Sequence, residues 1–559
     1  MIDKNSQIAP VDRWMRLPNG WSLGAFCIAL LVLLPILSVV WIAFNPTENI
    51  WPHLISTTLP RYLKNTLYLA FGVAILATFF GTISAWLVTM YRFPGARALQ
   101  WLLLLPLAIP AYVGAYALVD FLEYAGPVQT ALRDIFGWTN ARDYWFPEIR
   151  SRGAAIIVLA AALFPYVFLL ARNGFRDQSA GSYEVARALG AGPVARFWKV
   201  GLPLARPAIV AGVAIVMMET VSDFGVVSYF AVQTLTTGIF GVWLEGGNAG
   251  GAAQIATVVL LLVLVLVTFE KSGRRKMKFH RASRQMRPLQ AQKISGAGAW
   301  AALAFCLVPF LVGFVLPFLV ILFHALENAD RWLDPGLLQA FTNTLFVGAI
   351  AAVLTVAAAI FAVYGIRLSH QKLPRMLAPV MSLGYAAPGA VLAIGILFPM
   401  SYLDHAIANS AETLFGWNTG LLITGSAFAI IYAYVVRFFA IAQGATDAAF
   451  GRVSPSLPMA SRSLGQTATG TLRRVYFPLM RGSIGTALLL VFVDCVKELP
   501  ATLLLRPFNF DTLSTRVYEK ASLEQIGNAS PAAIMVIAVG LSAVLLLARA
   551  NRSGGSHGR

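Results

Sequence analysis

Charge is scarce in this chain. Asp, Glu, Lys and Arg make up 12% of its 559 residues, about half the usual share in soluble proteins, while apolar residues make up 58%. Cysteine is nearly absent. Cys27, Cys306 and Cys495 each sit singly in an apolar run, so no disulfide framework or paired-thiolate metal site is present, and each reads as a small hydrophobe. The six His are scattered near span ends or in loops, no HExxH occurs, and none is assigned as a ligand. No Gly-x-x-x-x-Gly-Lys loop exists to cradle a nucleotide, nor any Gly-Lys pair. The net charge of +18 does not arise from Lys and Arg interleaved with exposed aromatics, which excludes a nucleic-acid module. A soluble enzyme, a disordered regulator and a secreted disulfide scaffold are all ruled out.

What is present is a series of apolar runs of about 20 residues or more, the length that crosses a bilayer as a helix. They lie near 21–45, 63–90, 99–122, 153–172, 204–230 and 253–270, then near 298–324, 342–366, 377–399, 419–440, 480–504 and 531–549. The fold class predicted is all-α polytopic, with about twelve transmembrane helices. The first run is longer than a signal-peptide core and reads as a retained helix. With both termini in the cytoplasm, the large majority of the 43 Lys and Arg fall on the inner side. The densest run, KSGRRKMKFHRASRQMR (271–287), then lies in a cytoplasmic linker, 271–297, between a first half (1–270) and a second (298–559).

The halves resemble each other. At one constant offset Asn65-Thr66-Leu67 meets Asn343-Thr344-Leu345, Pro110 meets Pro388, and TLTT (234–237) meets TLST (512–515). Both halves enter the membrane from the same side, so they form two parallel six-helix repeats, with the substrate path expected between them.

The loop between the fourth and fifth spans of each half carries the next signal. It reads YEVARALGAGPVARFWKVGLPLARPAIV (183–210) in one half and LPMASRSLGQTATGTLRRVYFPLMRGSIG (457–485) in the other. Each has a small-residue helical stretch ending at a Gly (Gly190, Gly465) and, further on, a Pro (Pro203, Pro478) predicted to open the next span. These loops resemble the EAA motif of importer-type ABC permeases. Glu184, Ala186, Gly190, Leu202 and Pro203 match it well. The second copy is degenerate, with Met459-Ala460-Ser461 in place of Glu-Ala-Ala, but it keeps Ala460, Gly465, Phe477 and Pro478. The resemblance implies a type I ABC importer permease fold, in which these residues couple to a separate ATPase that binds the ATP.

The spans that follow contain acids, Glu219 and Asp223 in METVSD and Asp494 and Glu498 in VDCVKE, at equivalent positions. The i, i+4 spacing predicts that each pair faces one side of its helix. Ionised groups at such depth are costly and face the bundle interior with a partner. One reading is structural: Lys497 neutralises Glu498, and Ser222 or Thr220 bonds a carboxylate. The other is an oxygen-lined path for a hard cation.

Over nearly the whole length, and most closely in METVSDFGVVSYFAVQTLTTGIFGVWL (218–244) and DCVKELPATLLLRPFNFDTLSTRVYEKAS (494–522), the chain resembles the fused permeases of bacterial ferric-iron importers. That resemblance implies a multi-pass inner-membrane subunit with two copies of an ABC ATPase and a periplasmic Fe(III)-binding protein as partners. It implies Fe(III) as transported substrate passing Glu219, Asp223, Asp494 and Glu498, with no cofactor bound by this chain. Segments 125–152 and 400–418 are the expected docking surfaces by length. Fused thiamine permeases share the architecture, and Phe224, Tyr229 and Phe230 could line a path for an organic cation. A proton-driven secondary transporter is a third reading, against which the loop YRFPGARAL (91–99) lacks the charged pattern of major-facilitator chains.

Overall fold

A bilayer interior has no water for an unpaired backbone, so a crossing segment must close its own hydrogen-bond ladder. The computed structural model describes residues 20–46, 48–275, 291–368, 381, 384 and 387–553, and these are overwhelmingly helical. Eleven helices are long and apolar enough to cross a membrane, and one bent pair makes a twelfth. The first half holds α1 (Gly20–Phe44), α2 (Trp51–Met90), α3 (Ala96–Ala108 with Ala111–Phe136), α4 (Arg152–Arg176), α5 (Pro193–Ser222) and α6 (Ala249–Arg275). The second holds α7 (Ala297–Glu327), α8 (Pro335–Leu368), α9 (Gly389–Phe415), α10 (Phe428–Arg452), α11 (Ala468–Lys497) and α12 (Ile526–Ser553).

Several boundaries differ from the sequence expectation. The third span is bent by 92°. Ile109 precedes Pro110 and is forced extended, so the helix restarts at Ala111. The fifth and eleventh spans stop at Ser222 and Lys497, short of 230 and 504. The ninth runs on to Phe415, so most of 400–418 is helix and not loop; the 377–386 part of that prediction falls almost entirely outside the described residues. The core of the basic linker, 276–290, also lies outside them.

Pro203 and Pro478 do not open their spans. The helices begin at Pro193 and Ala468 and pass through the prolines by way of five-residue π-turns, Phe197–Gly201 and Leu472–Tyr476. Leu202 N–H reaches back to Phe197 O, and Phe477 N–H to Leu472 O, a looser spacing that makes room for a ring lacking its own N–H. The same device stands upstream of Pro60 (Leu54–Thr58) and Pro317 (Leu311–Val315).

Each half has a three-helix centre, α2 with α4 and α5, and α8 with α10 and α11. The first helix of each half crosses to the other. α1 packs along α8 and α9, with Trp21 stacked on Phe361 at 4.6 Å and the backbone at Pro35 against Gly395. α7 packs along α2, α3 and α4, with Gly313 against Ala161 O and Phe305 against both Phe79 and Phe80. Glycine at these crossings lets backbones touch where van der Waals contact is the main attraction.

The repeat is visible as repeated hydrogen bonds. Thr234 and Thr237 form a capping box at Leu235–Phe240, and Thr512 and Thr515 form its copy at Leu513–Ser522. Leu235 N–H donates to Thr66 Oγ1 (3.0 Å) and Leu513 N–H to Thr344 Oγ1 (2.8 Å). Asn65 donates to Gln233 O (2.8 Å), and Asn343 to Asp511 O (2.9 Å). The Asn-Thr-Leu and Thr-Leu-x-Thr copies found in sequence are therefore the two sides of one contact. Thr66→Val or Thr344→Val strands a buried N–H and should cost about 1–3 kcal/mol. A lowered thermal midpoint in detergent for each Val variant, with Thr→Ser near wild type, is the expected result.

Candidate functional site

The site grows from the two helix breaks. After Ser222 the backbone turns extended at Asp223 (φ −67°, ψ 138°), and after Lys497 it does so at Glu498 (φ −68°, ψ 124°). Short helices, Gly225–Tyr229 and Pro500–Leu505, follow at once. Their first N–H groups would be orphans in an apolar medium. Asp223 Oδ1 accepts from Val226 N (3.0 Å) and Val227 N (3.1 Å). Glu498 accepts from Ala501 N and Thr502 N, both at 3.0 Å, and from the Thr502 hydroxyl at 2.8 Å. The breaks are tied to the capping boxes as well: Thr236 Oγ1 donates to Asp223 O (2.7 Å) and Ser514 Oγ to Glu498 O (2.8 Å).

This corrects the expected i, i+4 geometry. The helix ends between the members of each pair, so Glu219 and Asp494 project from the last turn of α5 and α11 while Asp223 and Glu498 cap the next element. All four nevertheless line one cavity of about 200 Å³ between the halves. Among the described residues, no three His, Cys, Asp or Glu gather closely enough to hold a metal ion. The carboxylates surround a space without forming a chelating set.

Two cations share the cavity. Arg437 from α10 brings Nε to 4.0 Å from Glu498 Oε1, with both side chains largely buried. Lys497 does not neutralise its neighbour Glu498; its Nζ donates to Leu107 O (2.6 Å) in the broken α3, tying the second half to the first. Thr220 donates to Val216 O and not to a carboxylate, whereas Ser222 does line the cavity. Aromatic lining comes from Tyr112, Tyr166, Phe224 and Phe438. Tyr229 and Phe230 are packed elsewhere, Tyr229 edge-on to Tyr116 at 4.4 Å. Arg437 is the residue that sequence reasoning missed. Its signal was a lone Arg in the apolar run Ala429–Ala442, counted simply as a cytoplasmic-side charge.

The loops with EAA character are near copies of each other. Glu184 and Ala186 lie on the helix Ala180–Ala188 and Ala460 on Ser456–Ser463. Gly190 and Gly465 take φ of +80° and +81°, the left-handed conformation expected of them. Nothing lies within 4 Å of a Cβ built on either glycine, so backbone conformation alone selects that residue. Leu202, Pro203, Phe477 and Pro478 stand just beyond the π-turns. Leu189 and Leu464, next to the glycines, are each 82% exposed, which leaves an uncovered apolar tip on both loops.

Residues 77–277 match the family model of binding-protein-dependent transport system inner membrane components. The Fe(3+)-transport system permease protein FbpB 2 of Haemophilus influenzae is 26% identical over 481 residues, covering 85% of this chain and 87% of that one. The ferric transport system permease protein FbpB of Actinobacillus pleuropneumoniae is 24% identical over 464 residues, 80% of this chain and 64% of the relative. The sulfate transport system permease protein CysT of Escherichia coli is 29% identical over 253 residues, 44% of this chain and 88% of the relative, so it spans about one repeat. The chain is a multi-pass inner-membrane transport subunit similar to the inner-membrane components of binding-protein-dependent transport systems.

Gly389, first residue of α9, sits against the Glu498–Arg437 pair. A Cβ there would collide with Glu498 Oε1 and lie 2.9 Å from Arg437 Nη1 and 3.0 Å from Ala501 N. Gly389→Ala should therefore cost about 1–3 kcal/mol by overpacking. Gly444→Ala, with nothing within 4 Å of its Cβ, should be neutral or mildly stabilising in the same melting assay.

Proposed function

We propose that this permease carries ferric iron inward, from a periplasmic binding protein to the cytoplasm, by alternating access. The observation that carries the reading is the convergence of Glu219, Asp223, Asp494 and Glu498, from equivalent positions of two repeats, on one cavity between them. Carboxylate oxygens suit a hard, highly charged ion. An anion path would be lined by arginines and helix amino termini, and here acids outnumber the two bases. Kinship with relatives named as ferric permeases supports the same cargo. Because the carboxylates do not close into a cage, the cavity suits brief contact during transit better than storage.

In this reading both termini and the basic linker face the cytoplasm. Two copies of an ABC ATPase dock on the loop helices Ala180–Ala188 and Ser456–Ser463, one on each, and ATP binds there and not on this chain. Closure of the ATPase pair draws the loops together, and α5 and α11, continuous with those loops through their π-turns, carry the movement to the acids at their far ends. Two exposed leucines per permease give the docking its apolar contact. Leu189→Asp with Leu464→Asp should abolish ATPase co-purification while leaving the thermal midpoint of the permease unchanged.

A small organic cation such as thiamine is the second reading, favoured by the four aromatic rings in the cavity wall. Proteoliposomes holding the permease, its ATPase and the loaded binding protein separate the two. ATP-dependent uptake of radiolabelled Fe(III), lost in Glu219→Gln/Asp494→Asn, is the expected result. ATPase stimulation by a thiamine-loaded binding protein without iron movement would replace iron by the organic cation. Undiminished uptake in the variant would leave the acids a structural role only.

A further inference from the structure

A second cavity, of about 790 Å³ and lined by arginines, lies at the membrane face that carries the EAA-type loops, away from the acids. Its walls are the turn between α2 and α3 and the last turns of α4. Four arginines line it, Arg92, Arg97, Arg172 and Arg176, and among the described residues no Asp or Glu does. Among the described residues none of the four forms an ion pair. The adjoining residues 276–290 contain no Asp or Glu in sequence.

The arrangement is more than a scatter of inner-face charge. Arg172 is only 4% exposed, inside a membrane helix, where a cation is retained only with a partner. It is held in place by Gln100 Oε1 (2.9 Å) and lies over the Trp101 ring at 5.5 Å. Arg92 is fixed by a two-stranded parallel pairing, Tyr91–Arg92 with Gln292–Lys293, and by Ile294 N–H donating to Arg92 O (3.0 Å). Four guanidinium groups around one space repel one another unless an anion lies among them.

We propose that this cavity binds a phosphate-bearing anion, at a site separate from the transport path. The planar fork of arginine pairs with phosphate oxygens two at a time, and Arg172 is already oriented by Gln100. The volume exceeds what a bare halide needs and admits a phosphate together with its ester substituent. That group arrives either as the headgroup of an anionic phospholipid, whose surface meets this end of α4, or as free phosphate. Occupancy fastens the α2–α3 turn to α4 and to the strand that ends the linker between the halves.

The test uses the full chain in nanodiscs of phosphatidylcholine, with bound molecules counted by native mass spectrometry. One arm titrates phosphatidylglycerol, the other radiolabelled inorganic phosphate. Arg97→Gln/Arg176→Gln removes two exposed arginines, and Arg206→Gln/Arg481→Gln removes the same charge from exposed positions at the same face outside the cavity. Binding weakened roughly thirtyfold in the first variant and unchanged in the second supports the site, since each arginine near an anionic surface contributes about 1 kcal/mol. The arm in which that loss occurs identifies the source as lipid or free phosphate. Equal binding by the wild type and Arg97→Gln/Arg176→Gln in both arms overturns the proposal, as does an equal fall in both variants.

Discussion

A helix that stops inside a membrane must find acceptors for its successor's first N–H groups, and water does not supply them. In this permease the acceptors are carboxylates, Asp223 after α5 and Glu498 after α11. Much of the central architecture depends on that exchange. The caps allow the chain to turn, the turns hold the short helices and the capping boxes behind them, and the boxes dock on Thr66 and Thr344. The carboxylates that make the breaks possible are therefore also those that the breaks bring to the cavity. Structural and functional readings of these acids are not exclusive.

The symmetry is kept in the backbone and relaxed in the charges. Glu498 has Arg437 beside it, and Lys497 reaches across to Leu107, whereas the equivalent break in the first half has no basic residue of its own in the cavity wall. The second half thus supplies both cations to a space to which each half gives two acids. Cross-packing of α1 and α7 makes the halves interdependent, so the division at the linker separates sequence repeats and not independent bodies.

Hydropathy made the spans legible, and self-comparison made the duplication legible, because both leave long or paired signatures. The left-handed glycines were readable because few other residues take that conformation. The helix breaks were not: the apolar runs near 204–230 and 480–504 resume after them, and a carboxylate capping an N–H looks in sequence like one lining a path. Sequence spacing gave Glu219 and Asp223 one helical face, and the intervening break removed it while the cavity still collected both. Arg437 hid among the charges of its membrane face. The crossing of α1 and α7 left no trace, since lipid and protein are equally apolar surroundings for Leu and Phe.

The π-turns have a consequence for comparing this chain with its relatives. Each extra residue in a helical turn advances every later side chain by about 100°. A helical wheel drawn straight from Pro193 to Ser222 therefore misplaces Glu219 with respect to the residues before Phe197. A relative without the bulge would need a one-residue gap at that point for its buried faces to coincide. Pro60, Pro203, Pro317 and Pro478 mark where such phase changes fall, so the prolines serve as alignment anchors that hydropathy profiles do not provide.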